Sequence, residues 1–137
     1  MDVRSIDHVN LRIPECGVER AVGFYRDRLG FEVEGLERHR DGEQPFFDVR
    51  LAPAHVIHLW PTDEFDPPAG NNYNHVALIV ESDVETVKER LSAVGVPVES
   101  ELDSPLGATG RAPAVYVEDP FGYLVELKER ADRYRGS

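Results

Sequence analysis

Polar and apolar side chains alternate near the start of the chain in a pattern that predicts a β-strand. Val9, Leu11 and Ile13 form an apolar face, and His8 lies on the opposite, polar face. A similar segment begins at His75, 67 residues later. Apolar residues at helical spacing follow each strand; they are Val18, Ala21, Val22, Tyr25 and Leu29 in the first stretch, and Val84, Val87, Leu91 and Val94 in the second.

The two halves of the chain repeat the same order of elements. Gly30 and Gly95 stand where the two helices should end, and each opens a short strand. Equivalent positions are separated by offsets of 67, 65 and 68 residues, which indicates a duplicated module. The predicted strands after the helices cover 30–34, 46–51 and 56–60 in the first half, and 95–99, 114–118 and 123–127 in the second.

We therefore predict an α+β fold of two tandem βαβββ modules that form a curved mixed sheet within a single domain. Module one covers 4–61, a linker rich in Pro, Asp, Gly and Asn covers 62–72, and module two covers 73–128. Residues 129–137 form a C-terminal tail. We also expect Ser82 and Glu85 to cap the second helix as an S-x-x-E capping box.

Four polar residues occupy matching positions of this repeat, each opposite an apolar strand face. His8 matches His75, and His58 matches Glu126 at an offset of 68 residues. Two similar modules related by a pseudo-twofold axis can bring such positions to one point. Three imidazoles and one carboxylate suit Zn, Ni, Co, Mn or Fe(II) better than Ca or Mg.

The sequence thus predicts one divalent metal ion held by His8, His58, His75 and Glu126, with the sheet curved around it. Four protein ligands on an octahedral ion leave two adjacent positions for substrate, as in a catalytic site. A single strand histidine usually has a structural hydrogen bond instead, but the pairing across the repeat favours metal ligation. His39 and His55 lack such partners, and we do not propose them as ligands.

Composition narrows the choice of partner. The formal net charge of −11, with 26 acidic residues, argues against nucleic acid and anionic membranes as partners. No apolar run approaches the roughly 20 residues that span a bilayer, and the first residues do not resemble a signal peptide. Cys16 is the only cysteine, so an intrachain disulfide and a thiolate metal cluster are excluded. We expect a cytoplasmic protein that acts on a small molecule.

Several motifs together resemble the vicinal oxygen chelate superfamily over residues 5–128. This group includes glyoxalase I, extradiol dioxygenases, methylmalonyl-CoA epimerase, and fosfomycin and bleomycin resistance proteins. The resemblance rests on Asp7-His8-Val9-x-Leu11, Phe24-Tyr25-x5-Gly30-Phe31, Asn74-His75-Val76-Ala77 and Asp119-Pro120-x-Gly122-Tyr123-x-Val125-Glu126-Leu127.

The resemblance supports the same ligands. His8, His75 and Glu126 match ligand positions that are common in the superfamily. His58 matches a fourth position used by glyoxalase-like and epimerase-like members, although glyoxalase I normally has Glu there.

The resemblance implies a lyase or isomerase of the glyoxalase type, acting on a small 2-oxo or 2-hydroxy compound that chelates the metal through adjacent oxygens. Glu126 or His58 would move the proton. Arg12 could bind a substrate carboxylate, or be a partly exposed structural arginine. The full set of candidate substrate-binding residues is Asn10, Arg12, Trp60, Tyr116 and Arg135.

Three other functions remain open from the sequence. Tyr116 and Arg135 match phosphonate-binding positions of fosfomycin epoxide-opening enzymes, although a solvated C-terminal helix is the preferred interpretation of the arginines in the tail. An extradiol dioxygenase would use His8, His75 and Glu126 on Fe(II). A bleomycin-resistance-like protein would bind a drug without metal. Single-module members usually dimerise, so we expect a homodimer, with the metal held within one chain or shared.

Overall fold

The computed structural model describes residues 1–70 and 72–131. The chain divides into two compact units, Met1–Asp66 and Pro67–Ser137. Each unit contains a four-stranded mixed sheet and few helices, which confirms the predicted α+β class. Arg135, one of the candidate substrate-binding residues, lies outside the described residues.

In the first unit, a four-stranded sheet has the order β1-β4-β3-β2. Strand β1 is parallel to β4, and the other neighbours are antiparallel. The elements are β1 His8–Pro14, a 3-10 turn Glu15–Gly17, α1 Val18–Val22, a π-helical segment Gly23–Arg28, β2 Glu32–Glu34, α2 Leu36–Arg40, β3 Phe47–Ala52 and β4 His55–Thr62.

Side chains along β1 alternate between a buried face and an exposed face, as predicted. Leu11 and Ile13 are 4% and 0% exposed, whereas His8, Asn10 and Arg12 are exposed. The buried face of the sheet continues through the odd-numbered residues of β3 and β4, and it includes Phe47, Val49, Ile57 and Leu59. This apolar face is the core of the unit, so the opposite face keeps the polar side chains.

The first predicted helix is not a regular α-helix along its whole length. It changes at Gly23 into the wider π-helical segment Gly23–Arg28. Phe24 and Tyr25 are neighbours in sequence and both are buried, with their rings in an edge contact at 5.0 Å. Ala21 and Val22 of α1 are buried as well, so the segment keeps the same side toward the core across this change.

The second unit repeats this sheet order as β5-β10-β9-β6, with β5 parallel to β10. The matching strand orders confirm the two βαβββ modules. The elements are β5 Val76–Val80, α3 Val84–Ala93, β6 Ser100–Leu102, β7 Leu106–Gly107, β8 Gly110–Arg111, β9 Ala114–Glu118 and β10 Leu124–Glu129. Strands β7 and β8 form a separate two-stranded hairpin.

Two local predictions in this unit were wrong. The strand predicted over 95–99 is β6, Ser100–Leu102, because Pro97 has no backbone N–H with which to join a ladder. Helix α3 is capped by Asp83, whose carboxylate accepts a hydrogen bond from the Thr86 backbone N–H at 2.8 Å. Asp83 therefore replaces the predicted Ser82 and Glu85 box, and its carboxylate also suits the positive end of the helix dipole.

None of the helices in residues 1–70 and 72–131 combines the length and apolar character needed to cross a bilayer.

A buried carboxylate organises the turn between β9 and β10. Asp119 is 4% exposed, and its Oδ1 accepts hydrogen bonds from the backbone N–H groups of Phe121 and Tyr123, both at 2.9 Å. Gly122 completes the turn at φ 96°, a conformation that glycine adopts readily. The turn sets where β10 begins.

Replacing this carboxylate should destabilise the fold. Asp119→Ala leaves two buried amides without their acceptor, so we expect a loss of about 3 kcal/mol in the free energy of unfolding. Chemical denaturation measures the change. Glu118→Ala, at the exposed neighbouring position, is the matched control and should change stability little. An equal effect of the two substitutions would contradict this account of the turn.

Candidate metal centre

The parallel pair β1 and β4 brings two predicted ligands together in the first unit. Asn10 pairs with His58 in the register, so His58 shares the polar face of His8. The ring centroids of His8 and His58 are 4.2 Å apart. The His58 side chain is 18% exposed and that of His8 is 44% exposed. One ligand of this pair is therefore enclosed, and the other is open to solvent.

A carboxylate orients the enclosed histidine. Asp48, opposite His58 on β3, accepts a hydrogen bond from its Nδ1. A carboxylate can only accept, so Nδ1 carries the proton and the neutral ring keeps a lone pair on Nε2. The sequence analysis missed Asp48. Its signal was a polar residue between the buried Phe47 and Val49, which places it on the polar face.

The other two predicted histidine ligands have the same arrangement. His8 Nδ1 donates to Asp7 Oδ2 at 2.8 Å, and His75 Nδ1 donates to the side-chain oxygen of Asn74 at 2.5 Å. The hydrogen bond from His8 lowers the pKa of Asp7. In each of the three histidines Nε2 is then the nitrogen left to bind a metal, as in carboxylate–histidine–metal groups.

In the second unit, His75 lies beside the predicted carboxylate ligand. His75 directly precedes β5, and Glu126 lies within the parallel neighbour β10. The distance from His75 Nε2 to Glu126 Oε1 is 3.2 Å. Glu126 is only 5% exposed, so water contributes little to the solvation of its charge.

Tyr116 on β9 holds the same carboxylate oxygen. It pairs with Glu126 in the register, and its hydroxyl donates a hydrogen bond to Glu126 Oε1. Burial, together with this hydrogen bond and the charge of Glu126, raises the pKa of Tyr116 to about 12. Tyr116 thus stays protonated at neutral pH and acts as a donor to Glu126.

The contact between His75 and Glu126 has an electrostatic consequence. In the tautomer in which His75 Nδ1 donates to the Asn74 side-chain oxygen, a neutral ring presents a lone pair from Nε2 to the carboxylate. Two acceptors at 3.2 Å repel each other unless a proton or another cation lies between them. The pair is therefore arranged to accept a positive charge.

Each unit supplies two of the four predicted ligands. Among residues 1–70 and 72–131, no three or more His, Cys, Asp or Glu side chains lie together where they could hold an ion. The remaining histidines are used structurally: His39 Nδ1 bonds to the Gln44 carbonyl at 3.2 Å, and His55 Nδ1 to the Ile6 carbonyl at 2.6 Å.

The other candidate residues of the first unit form a surface next to His58. Arg12 lies over the Trp60 ring, with the guanidinium carbon 5.1 Å from the ring centroid. Phe46 stacks on Trp60 at 5.5 Å and contacts His58 at 4.2 Å. Trp60 is partly exposed, and Asn10 and Arg12 are exposed. Phe46, which the sequence analysis did not single out, joins the ligand pair to this aromatic surface.

Comparison with known proteins identifies the family. Residues 5–127 match the glyoxalase/bleomycin resistance protein/dioxygenase superfamily. The chain belongs to this superfamily. Because the match covers nearly all of the sequence, the resemblance of its motifs to the vicinal oxygen chelate group is confirmed.

Named relatives within the superfamily point mostly to one activity. A lactoylglutathione lyase from Salmonella typhimurium is 32% identical over 140 residues, which cover 94% of this chain and 95% of that protein. A probable lactoylglutathione lyase from Synechocystis is 28% identical and covers 92% of this chain and 95% of its own length. The superfamily function is thus of the glyoxalase type.

Solved structures share the fold. A virulence protein from Salmonella typhimurium has a TM-score of 0.75 at 23% identity, covering 96% of this chain and all of its own. A glyoxalase family protein from Enterococcus faecalis has a TM-score of 0.68 at 26% identity, covering 92% of this chain and 98% of its own.

The hydrogen bond from His58 to Asp48 should fix the ring tautomer. Asp48→Ala removes the acceptor of Nδ1, so we expect the proton to move to Nε2, the nitrogen that carries it in a free imidazole side chain. Nitrogen-15 NMR of the imidazole ring distinguishes the two tautomers. Asp41→Ala, at an exposed position, is the control and should leave the His58 signals unchanged. An unchanged tautomer in Asp48→Ala would show that another group orients the ring.

Proposed function

We propose that this protein is a divalent-metal-dependent lyase or isomerase of the glyoxalase type, acting on a small substrate with two adjacent oxygens. The observation that carries the proposal is the contact of His75 Nε2 with Glu126 Oε1 at 3.2 Å. Both atoms are acceptors in the arrangement described above, and a metal cation satisfies both. The relatives named lactoylglutathione lyase support the reaction type.

The proposed ligands are His8, His58, His75 and Glu126, two from each unit. Imidazole nitrogens and a carboxylate oxygen fit Zn, Ni, Co, Mn or Fe(II). The four hydrogen-bond partners of these ligands are Asp7, Asp48, Asn74 and Tyr116. Such partners fix the orientation of each donor before the metal arrives, so less order has to be created on binding.

When bound, the ion supplies a Lewis acid that polarises the two substrate oxygens. Tyr116 holds Glu126 Oε1 through its hydroxyl, which leaves Oε2 able to accept a proton. An isomerisation needs a base that takes a proton from one carbon and returns it to the neighbouring carbon. Glu126 through Oε2, or His58 through Nε2 when that nitrogen is not bound to the ion, would carry this proton and end the cycle unchanged.

Arg12, Asn10 and Trp60 are the proposed contacts for the part of the substrate that does not react. The guanidinium of Arg12 can bind a carboxylate through two parallel hydrogen bonds. Trp60, stacked on Phe46, offers a flat apolar surface beside His58. Binding energy from these groups would orient the reacting atoms.

Removing a ligand should abolish tight metal binding. We expect the purified protein to bind one divalent ion per chain, and His75→Ala or Glu126→Ala to weaken that binding by more than about 100-fold, since a lost ligand costs more than a lost partner of a ligand. Elemental analysis and calorimetric titration with Ni, Co, Mn and Zn measure this. His39→Ala, which removes an imidazole bonded to a loop carbonyl, is the matched control.

His58→Ala tests the fourth ligand. Full metal affinity in this variant would show that His58 only lines the site. A native protein without metal, which Ni, Co, Mn and Zn also fail to stabilise, would overturn the proposal and favour a drug-binding role.

The partners of the ligands should matter less, but measurably. Asp48→Asn and Tyr116→Phe keep all four donors, and we expect each to lower metal affinity by roughly 10- to 100-fold. Tyr116→Phe removes the donor to Glu126 without changing the ring. Tyr25→Phe, at a buried position away from the proposed ligands, is the matched control. Unchanged affinity in both test variants would show that the ligands need no orientation.

Two assays separate the reactions. Turnover of the methylglyoxal hemithioacetal of glutathione without oxygen would support the lyase, and oxygen uptake with catechol and Fe(II) would support ring cleavage instead. Mixing inactive His58→Ala and Glu126→Ala proteins tests a homodimer with shared sites. Recovered activity would mean that one site draws ligands from two chains, because a mixed dimer then regains an intact set.

A further inference from the structure

A lysine is buried on the strand that carries the proposed carboxylate ligand. Lys128 is 2% exposed and lies two residues after Glu126, so both side chains share one face of β10. Its neighbours in the register are Ala114 on β9 and Ile79 on β5. Neither neighbour has a polar side-chain atom. Lysine is almost never fully buried without a paired charge, so this position requires an explanation.

The hydrogen bonds of Lys128 are incomplete. Its Nζ donates to the Gly110 carbonyl at 3.0 Å. An ammonium group has three N–H donors, and the other two have no acceptor among the described residues. No carboxylate in this part of the chain forms an ion pair with it. A buried ammonium with one neutral acceptor is costly, and an oxyanion could satisfy both remaining donors.

The hairpin of β7 and β8, residues 106–111, covers this lysine. Gly107 lies against the lysine stem, since a Cβ added there would be 3.1 Å from Lys128 Cε. Gly110 supplies the carbonyl that accepts from Nζ. The hairpin does not join the four-stranded sheet, and Leu106 within it is 70% exposed. The ladder of the main sheet therefore does not hold the hairpin over Lys128.

We propose that Lys128 is an oxyanion-binding residue of the candidate site, which a substrate reaches when the hairpin moves. The substrate would then carry a carboxylate or phosphate group in addition to its two adjacent oxygens. This inference rests on the function proposed above. It predicts that the substrate is an acidic small molecule. Lys128 supplies a positive charge in a protein whose net charge is −11.

The composition of the chain allows a direct test. Lysine occurs only at positions 88 and 128, so ¹⁵N-lysine labelling gives two side-chain ammonium signals, assigned with Lys88→Met and Lys128→Met. Lys88 is a matched reference, since it pairs with Glu85 and Glu101 at 2.9 and 3.0 Å. Metal-free protein is titrated with inorganic phosphate and, separately, with succinate at constant ionic strength.

We expect one of the two anions to shift the Lys128 signal saturably while the Lys88 signal stays fixed. The anion that does so identifies phosphate or carboxylate as the recognised group. Lys128→Met should bind that anion roughly 10- to 100-fold more weakly, because a hydrogen bond to a charged group is lost. Lys88→Met should bind it as the unaltered protein does, measured by the rise in melting temperature.

A fixed Lys128 signal with both anions would overturn the proposal, as would equal anion binding by the two methionine variants. Lys128 would then serve only to anchor the hairpin. The titration uses no metal and no turnover, so failure of the proposed reaction leaves its result interpretable. The NMR measurement on the unaltered protein also holds if Lys128→Met does not fold.

Discussion

Parallel pairing of the first and last strands of each unit determines where the proposed metal ligands lie. β1 pairs with β4, and β5 pairs with β10. In both pairs the proposed ligands come from the face opposite the core. The position of His58 thus follows from the burial of Ile57 and Leu59, each 0% exposed. A slip of one residue in the register would turn the proposed ligands toward the core and the core residues toward the polar face. The register that packs the core therefore also determines the geometry of the proposed ligands.

Hydrogen bonds to neighbouring side chains then determine which atom of each proposed ligand is free to bind a metal ion. Asp48 and Asp7 occupy Nδ1 of the two histidines in the first unit, and Asn74 occupies that of His75. The three rings consequently expose the same nitrogen. In the second unit Tyr116 takes one lone pair of Glu126 Oε1. The sheet positions the proposed ligands, and these short-range partners set the tautomer of each histidine and the orientation of each side chain.

The sequence predicted those features that depend on alternation along a single strand. The polar face of β1, with His8, Asn10 and Arg12, followed directly from the apolar residues between them. The partners of the ligands could not be predicted in the same way. The hydrogen bond between Asp48 and His58 depends on the register of β3 against β4, which no local pattern encodes.

Other differences have equally local causes. A proline displaced β6, and Asp83 beside Ser82 offered a better cap for α3. The π-helical segment was not predicted, because apolar spacing shows which side of a helix is buried and not how wide its turns are. The sequence around Lys128 gives no sign that this lysine is buried. Its burial arises from a hairpin whose two-residue strands are too short to show alternation.

The parallel pairing also determines when the two proposed ligand pairs can form during synthesis of the chain. Parallel strands need a long crossover, so His8 precedes His58 by 50 residues, and Glu126 follows His75 by 51. Neither pair can assemble from a local segment, because each requires the closing strand of its unit. On the ribosome, the second pair stays incomplete until Glu126 on β10 has emerged. Neither proposed ligand pair can therefore form before the closing strand of its own unit has paired.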